Sequence, residues 1–212
     1  MPFKLDSDFF KFLGNLTNLI VLNLICLICC IPIITIGPAI CALYFCIMKL
    51  VRKEHIHIMQ GFIKSFKDNL KQGIILQLII FFSSGLLYFN LQLTSAHFNS
   101  SNIFKSLTSA IVILIFLFLL LLTFLYPVQA LFSNQLKSTF YNAFILSICN
   151  LPRTLIMLLL NLLPVILFFL WPNVFLGMFP FYIFIGFSVT VYINCIFLKD
   201  ILKPYLPDEE LE

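Results

Sequence analysis

The residues of this chain that could carry chemistry are cysteines, and most of them fall in one apolar stretch near the beginning. These cysteines are Cys26, Cys29, Cys30, Cys41 and Cys46. Thiolates grouped in this way could bind zinc or exchange disulfides. However, no histidine or carboxylate lies between Phe9 and Lys53, whereas zinc sites usually add such ligands. We therefore expect these thiols to pack as small apolar groups, without a metal or a cofactor.

Two histidines next to an acidic residue form the other candidate centre. His55 and His57 follow Glu54, and at this spacing they could titrate near neutral pH or bind a metal. Histidines in an exposed loop are by default solvated. No serine or cysteine is matched with a base and an orienting carboxylate at one predicted membrane depth. The sequence therefore predicts no catalytic residue, no metal site and no enzymatic activity.

The elements that position these residues are those of a membrane protein. The 212 residues are 61% hydrophobic and 10% charged, with a mean hydropathy of +1.07, whereas soluble domains carry roughly 25% charged residues. At about 20 residues per spanning helix, the chain is long enough for five or six crossings. This composition predicts a single all-α transmembrane domain over residues 1–212, a polytopic helical bundle without a nucleic-acid partner.

The first apolar stretch is predicted to be a hairpin. Phe12 to Met48 contains no charge, and as one helix it would run about 55 Å, nearly twice a hydrocarbon core of about 30 Å. Pro32, Gly37 and Pro38 interrupt it, and Thr35 is the nearest hydroxyl for the carbonyl groups that the break leaves without partners. The break is either a packed turn between antiparallel helices or a broken-helix site whose backbone lines a cavity.

Charge-free intervals mark the remaining spans, because a charge at the centre of a spanning helix costs about 2.5 to 3.5 kcal/mol. One span is predicted at Gly73 to Leu93 and another, with an apolar core, within Ser106 to Leu136. Thr154 to Leu198 is too long for one crossing, and the segment from Trp171 to Pro180 supplies a break between two more spans.

Neutral polar side chains occur inside these spans. They include Asn18, Asn23, Gln77, Asn90, Gln92, Gln129, Asn161 and Asn194. Such groups most often bond between helices, and a path for a substrate is the alternative. No Asp, Glu, Lys, Arg or His lies deep in a predicted span, which disfavours proton-coupled transport.

The basic residues predict the orientation. With six spans, every lysine and arginine except Lys105 lies on one side, which the positive-inside rule assigns to the cytoplasm. If Pro38 to Leu50 is instead an interfacial or re-entrant helix, there are five spans and Lys4 and Lys11 move outside. Six spans with both termini inside are preferred, because the asymmetry of charge is then stronger. Both alternatives place residues 49–72 in the cytoplasm.

Residues 53–72 form the only clearly amphipathic segment. Apolar residues recur there at helical spacing, with basic residues on the other faces. One interpretation is a helix that lies on the inner leaflet and contacts anionic membrane lipid. The other is a helix that docks on a partner protein through Phe62, Ile63 and Phe66, with Lys67 beside them.

The first part of the chain resembles the YesL family of bacterial membrane proteins, a domain of unknown function. The resemblance rests on Asn23 and Leu24, on the bend Pro32, Thr35, Ile36, Gly37, Pro38 and Ala39, and on Ala42, Leu43, Tyr44, Lys49, Leu50, Val51 and Arg52. It continues through Phe62, Phe66, Lys67, Asn69, Leu70, Lys71 and Gln72. Members are often described as encoded beside carbohydrate uptake and degradation systems of Gram-positive bacteria. The resemblance therefore implies a role near sugar transport.

These observations lead to two expectations for function. The first is a multi-pass protein of the cell membrane that is accessory to carbohydrate uptake and contacts a carbohydrate transporter subunit through its amphipathic segment. The alternative is a channel or permease for a small molecule, which would use the bend and the polar groups of the spans. The second expectation places the function inside the membrane, whereas the first places it at the surface.

Overall fold

The computed structural model describes residues 8–96, 102–132 and 135–205. The other residues of the predicted 1–212 domain, including Lys4 of the orientation argument, lie outside these ranges. The helices are α1 Asp8–Cys29, α2 Ile36–Arg52, α3 Ile58–Asp68, α4 Leu70–Ala96, α5 Asn102–Leu131, α6 Leu136–Cys149, α7 Leu151–Leu170, α8 Pro172–Phe181 and α9 Phe187–Leu202. Over the described ranges the chain contains no strand, so the all-α prediction is confirmed.

The chain doubles back between α1 and α2. A short turn leads into the 3-10 helix Ile33–Thr35, and α2 begins at the next residue. Cys26 of α1 lies 3.7 Å from the carbonyl of Ala39 of α2, measured from Sγ to O. α1 also contacts α3, which follows the far end of α2. The two helices are therefore antiparallel neighbours, as the predicted hairpin requires.

α2 is the centre of the bundle. It packs against α1, α3, α4, α5 and α9, and most of its side chains are buried. Small side chains such as Ala39, Cys41, Ala42 and Cys46 are fully enclosed. Small residues allow helix backbones to approach closely, which is how helices associate in a lipid environment. The cysteines of this helix are part of that packing.

The bend of the hairpin lies beside the beginning of α4. Gly37 and Gly73 are both buried, and a Cβ added to Gly37 would collide with the carbonyl oxygen of Gly73. Gly73 is two residues from Lys71, near the end of the segment that the sequence places in the cytoplasm. A hairpin that crossed completely would bring its bend to the opposite end of α4. The contact thus favours a hairpin that stops short of the far surface over the preferred six spans.

The final apolar stretch forms two helical rods. α7 ends at Leu170, and α8 begins at Pro172, so the chain breaks at Trp171 as predicted. Pro180 does not take part in the break, because it lies inside α8. α8 continues through a π-helical turn, Tyr182–Gly186, into α9.

The predicted spans leave residues 137–153 unassigned, and the structure places α6 there. α6 packs along α5, and the hydroxyl of Thr139 donates to Oε1 of Gln129 at 3.1 Å. Its apolar residues show little helical periodicity. Without such a periodic stripe, the sequence carried no strong signal for a helix here.

Among the described residues, five helical segments are long and apolar enough to cross a membrane. They are Ile33–Arg52, Leu70–Ala96, Asn102–Leu131, Leu151–Leu170 and Pro172–Tyr205. A sixth apolar segment, Leu13–Cys29, is shorter. These helices make the chain a multi-pass membrane protein.

Candidate functional site

The four residues predicted at the helix break fall into two pairs. Pro32 and Thr35 lie between α1 and α2, where Thr35 ends the 3-10 helix, whereas Gly37 and Pro38 lie in the first turn of α2. Proline is tolerated there because the first amide groups of a helix have no intrahelical partner. The hydroxyl oxygen of Thr35 lies 2.7 Å from the carbonyl oxygen of Cys29 and 2.8 Å from that of Pro32. Thr35 thus supplies a donor to the last carbonyl of α1 and to a carbonyl of the turn.

The close approach of Gly37 and Gly73 distinguishes between the two interpretations of the helix break. A Cβ added to Gly73 would lie 2.9 Å from the nitrogen of Pro38, so the first turns of α2 and α4 are in direct contact. Gly37 and Pro38 are both buried. Of the two interpretations of the break, this contact favours a packed turn over a backbone that lines a cavity.

Asn23 connects the first hairpin to the π-helical turn at the other end of the chain. It is fully buried, its amide nitrogen donates to the carbonyl of Ile183 at 2.5 Å, and its Oδ1 accepts from the amide of Ser188 at 2.8 Å. A π-helical turn disturbs the regular backbone ladder and leaves such groups without ordinary helical partners. One side chain therefore satisfies both backbone groups.

Other polar residues of the spans also bond between helices. Tyr126 of α5 donates to Oε1 of Gln77 at 2.6 Å, and Asn194 of α9 donates to Oδ1 of Asn161 at 2.8 Å. The amide nitrogen of Asn194 also lies 3.4 Å from the hydroxyl of Tyr44. These contacts match the prediction that polar groups within spans join helices. Asn90 and Gln92, by contrast, are exposed and make local bonds within α4.

The structure divides the predicted docking residues of α3 between two faces. Phe62 is only 1% exposed, and Phe66 is partly buried against the core. Ile63 is 47% exposed, and Lys67 also lies on the outer face. Phe62 is therefore not available for docking, because its buried ring holds α3 on the bundle. Sequence periodicity identified the apolar residues but not the direction in which each points.

Met59 joins the outer face of α3, with 53% of its surface exposed. It belongs to the same helical spacing of apolar residues as Ile63, but it was not among the predicted docking residues. An apolar pair, Met59 and Ile63, is thus displayed next to the basic side chains of Lys64 and Lys67. This face of α3 is the candidate interaction surface.

The end of α2 holds an ion cluster that sequence reasoning missed. Oε1 of Glu54 lies 2.7 Å from Nε of Arg52, and its Oε2 lies 3.4 Å from Nζ of Lys49. Lys53 between them adopts a left-handed conformation, with φ of 61°. This conformation ends the helix and turns Glu54 back towards its basic neighbours. The signal was the short spacing of one acidic and three basic residues.

A cavity of about 580 Å³, lined by both polar and apolar residues, opens between α3, α4 and α5. Gln129 of α5 is 3% exposed, and its amide nitrogen donates to Oε1 of Gln72 of α4 at 2.6 Å. Because Thr139 donates to Oε1 of the same amide, the orientation of Gln129 is determined by partners on two helices. Lys64 and Lys71 also line this cavity.

The described cysteines and histidines show no arrangement of a metal centre. Within the described ranges, no group of three or more His, Cys, Asp or Glu side chains could hold a metal ion. The seven cysteines are free thiols, of which Cys26, Cys41, Cys46 and Cys195 are buried. His55 and His57 are exposed.

Fold and site together define a multi-pass, all-helical membrane protein with one surface-displayed amphipathic helix. Residues 19–91, about a third of the chain, match the model of a family described as a protein of unknown function, DUF624. The match includes the second half of α1, all of α2 and α3, and most of α4. No curated protein and no solved structure matches this chain.

Proposed function

We propose that this protein is an accessory component of a carbohydrate uptake system in the cell membrane and that α3 is the element that contacts a transporter subunit. The resemblance of the first 75 residues to the YesL family supports the link to carbohydrate uptake. The observation that carries the proposal is the attachment of α3, which is fastened to the bundle on one face and presents an apolar and basic surface on the other.

The attachment of α3 suits a docking role. Phe62 is enclosed by the core and stacks with Phe66, with ring centroids 6.4 Å apart. Because this face is held by α2, Met59 and Ile63 are displayed on a helix that is already ordered. A preformed helix spares a partner the entropic cost of ordering it, so a small apolar surface can support useful affinity.

Photocrosslinking in cells tests this role. A photoreactive amino acid at position 63 should capture an identifiable subunit of a carbohydrate transporter. The same amino acid at position 86 is the matched control, because Leu86 is also exposed but lies on α4. Capture of lipid alone at position 63, or of the same protein at both positions, would count against docking through α3.

A channel or permease is the second candidate, and buried polar atoms without partners favour it. Asn194 Oδ1 and Ser188 Oγ are buried and make no hydrogen bond in the described part of the chain. Such atoms could bond a solute that passes between the helices. Purified protein in liposomes should then release an entrapped radiolabelled sugar, and Asn194→Leu should slow that release. Liposomes that retain every sugar tested would exclude this function.

A further inference from the structure

We propose that the cavity between α3, α4 and α5 binds a phosphate group. The candidate site borders the outer face of α3, with which it shares Lys64, and it goes beyond the proposed accessory role. It combines two basic side chains, a positioned amide and an apolar wall in one concave space of about 580 Å³.

The charged lining of the cavity selects an anion. Lys64 and Lys71 extend from successive helices, and neither forms an ion pair with a described residue. Asp68 is the one acidic residue of the lining, so the formal charge of the lining remains positive. Lysine is a common phosphate ligand because its ammonium group is a compact charge with three donors.

The amide network adds a hydrogen-bond donor. Gln72 uses its oxygen to accept from Gln129, and its amide nitrogen makes no bond to another described residue. Because Gln129 is buried and is itself oriented by Thr139, Gln72 is held with its donor group free. Two cations with a neutral donor form a set that recognises phosphate oxygens.

One part of the cavity lining is apolar. Phe45 of α2 and Ala130, Leu131 and Phe132 at the end of α5 line it. A cavity with a basic side and an apolar side suits a phosphate carried on a partly apolar molecule. An anionic phospholipid has this chemistry, and a soluble phosphorylated compound shares the phosphate alone.

Binding can be measured on the full-length protein in a neutral detergent. Native mass spectrometry should show phosphatidylglycerol retained in preference to phosphatidylcholine. In the double variant Lys64→Gln and Lys71→Gln, apparent affinity for phosphatidylglycerol should fall roughly 10- to 30-fold, the scale expected for two lysines near an anionic headgroup. Lys137→Gln with Lys203→Gln is the matched control, since both lysines are exposed and neither lines the cavity.

A second arm separates the two sources of phosphate. Inorganic phosphate is titrated against the thermal unfolding of the same proteins in detergent. Stabilisation by inorganic phosphate that is lost only in the cavity variant, without selective retention of phosphatidylglycerol, would assign the site to a soluble phosphate compound. Equal losses in both double variants, or no response to either phosphate source, would overturn the proposal. Circular dichroism of the variants shows that each remains folded.

Discussion

α2 and α4 are both strongly apolar, but α2 is largely buried in the protein whereas α4 is largely exposed. In the apolar window of Ile33–Arg52, 56% of the residues are buried in the protein, compared with 11% for Leu70–Ala96. α2 carries small side chains that allow other helices to approach, whereas α4 exposes large ones such as Phe81 and Phe82. In a membrane protein, apolar composition identifies a helix that belongs in lipid, and side-chain size indicates whether that helix contacts protein or lipid.

A single helix, α3, shows the same difference between buried and exposed apolar side chains. α3 turns Phe62 into the bundle and leaves Met59 and Ile63 outside, although all three belong to one apolar periodicity. The buried face provides attachment, and the exposed face is available for binding. The difference between buried and exposed positions can therefore be tested by paired substitutions.

The largest expected effect concerns membrane depth, which distinguishes the hairpin from α4. In a cysteine-free background, spin labels at positions 33, 71 and 95 can be compared by electron paramagnetic resonance. Because the bend packs on the first turns of α4, the label at 33 should lie within about two helical turns, or 11 Å, of the label at 71. Position 95 should lie about 36 Å from position 71 along α4. If the label at position 33 instead lies at the same depth as position 95, the hairpin crosses the membrane completely and the expected short distance is wrong.

Removal of the anchoring ring of α3 should have the largest effect on stability. Phe62→Ala leaves a cavity between α3 and α2, and we expect the free energy of unfolding to fall by about 3 to 5 kcal/mol. Ile63→Ala, at the adjacent but exposed position, should change it by less than about 1 kcal/mol. Chemical unfolding in detergent measures both. Equal effects would mean that α3 is not fastened through Phe62.

A methyl group added at the contact between Gly37 and Gly73 should destabilise the protein. Gly37→Ala would place Cβ against the backbone of Gly73, and the resulting shift should cost about 1 to 3 kcal/mol of unfolding free energy. Gly85→Ala on the exposed part of α4 meets nothing within 4 Å and should stabilise the helix by about 0.5 to 1 kcal/mol. Opposite signs in thermal unfolding would support the comparison between these regions, and a neutral Gly37→Ala would contradict it.

The smallest expected effect concerns Asn23, whose side chain bonds the backbone at and just after the π-helical turn. Asn23→Leu removes a donor and an acceptor, and we expect a loss of about 1 to 2 kcal/mol because bonds in membrane interiors are individually modest. Hydrogen exchange should increase at Ser188, whose amide loses its partner. Asn90→Leu, which loses only a local bond on an exposed face, is the control. Unchanged exchange at Ser188 would show that the bond to Asn23 does not protect this amide.

Much of the helical architecture could be predicted from particular residues. The first hairpin, the breaks at Pro32 and Trp171 and the spans between charged segments follow from the cost of charges in lipid and of proline within helices. α6 was not predicted, since its apolar residues lack a periodic stripe. The break residues and the apolar stripe of α3 were identified, but their packing was not.

The sequence alone determined that this chain is helical, enters the membrane several times and carries one amphipathic helix, because these properties depend on local runs of apolar and charged residues. The tertiary structure alone decided that Asn23 holds the turn at Ile183, that Gly37 meets Gly73, and that Phe62 points inward. These pairings join residues far apart in the chain or choose between helix faces. They depend on how helices pack, and local composition does not specify such contacts.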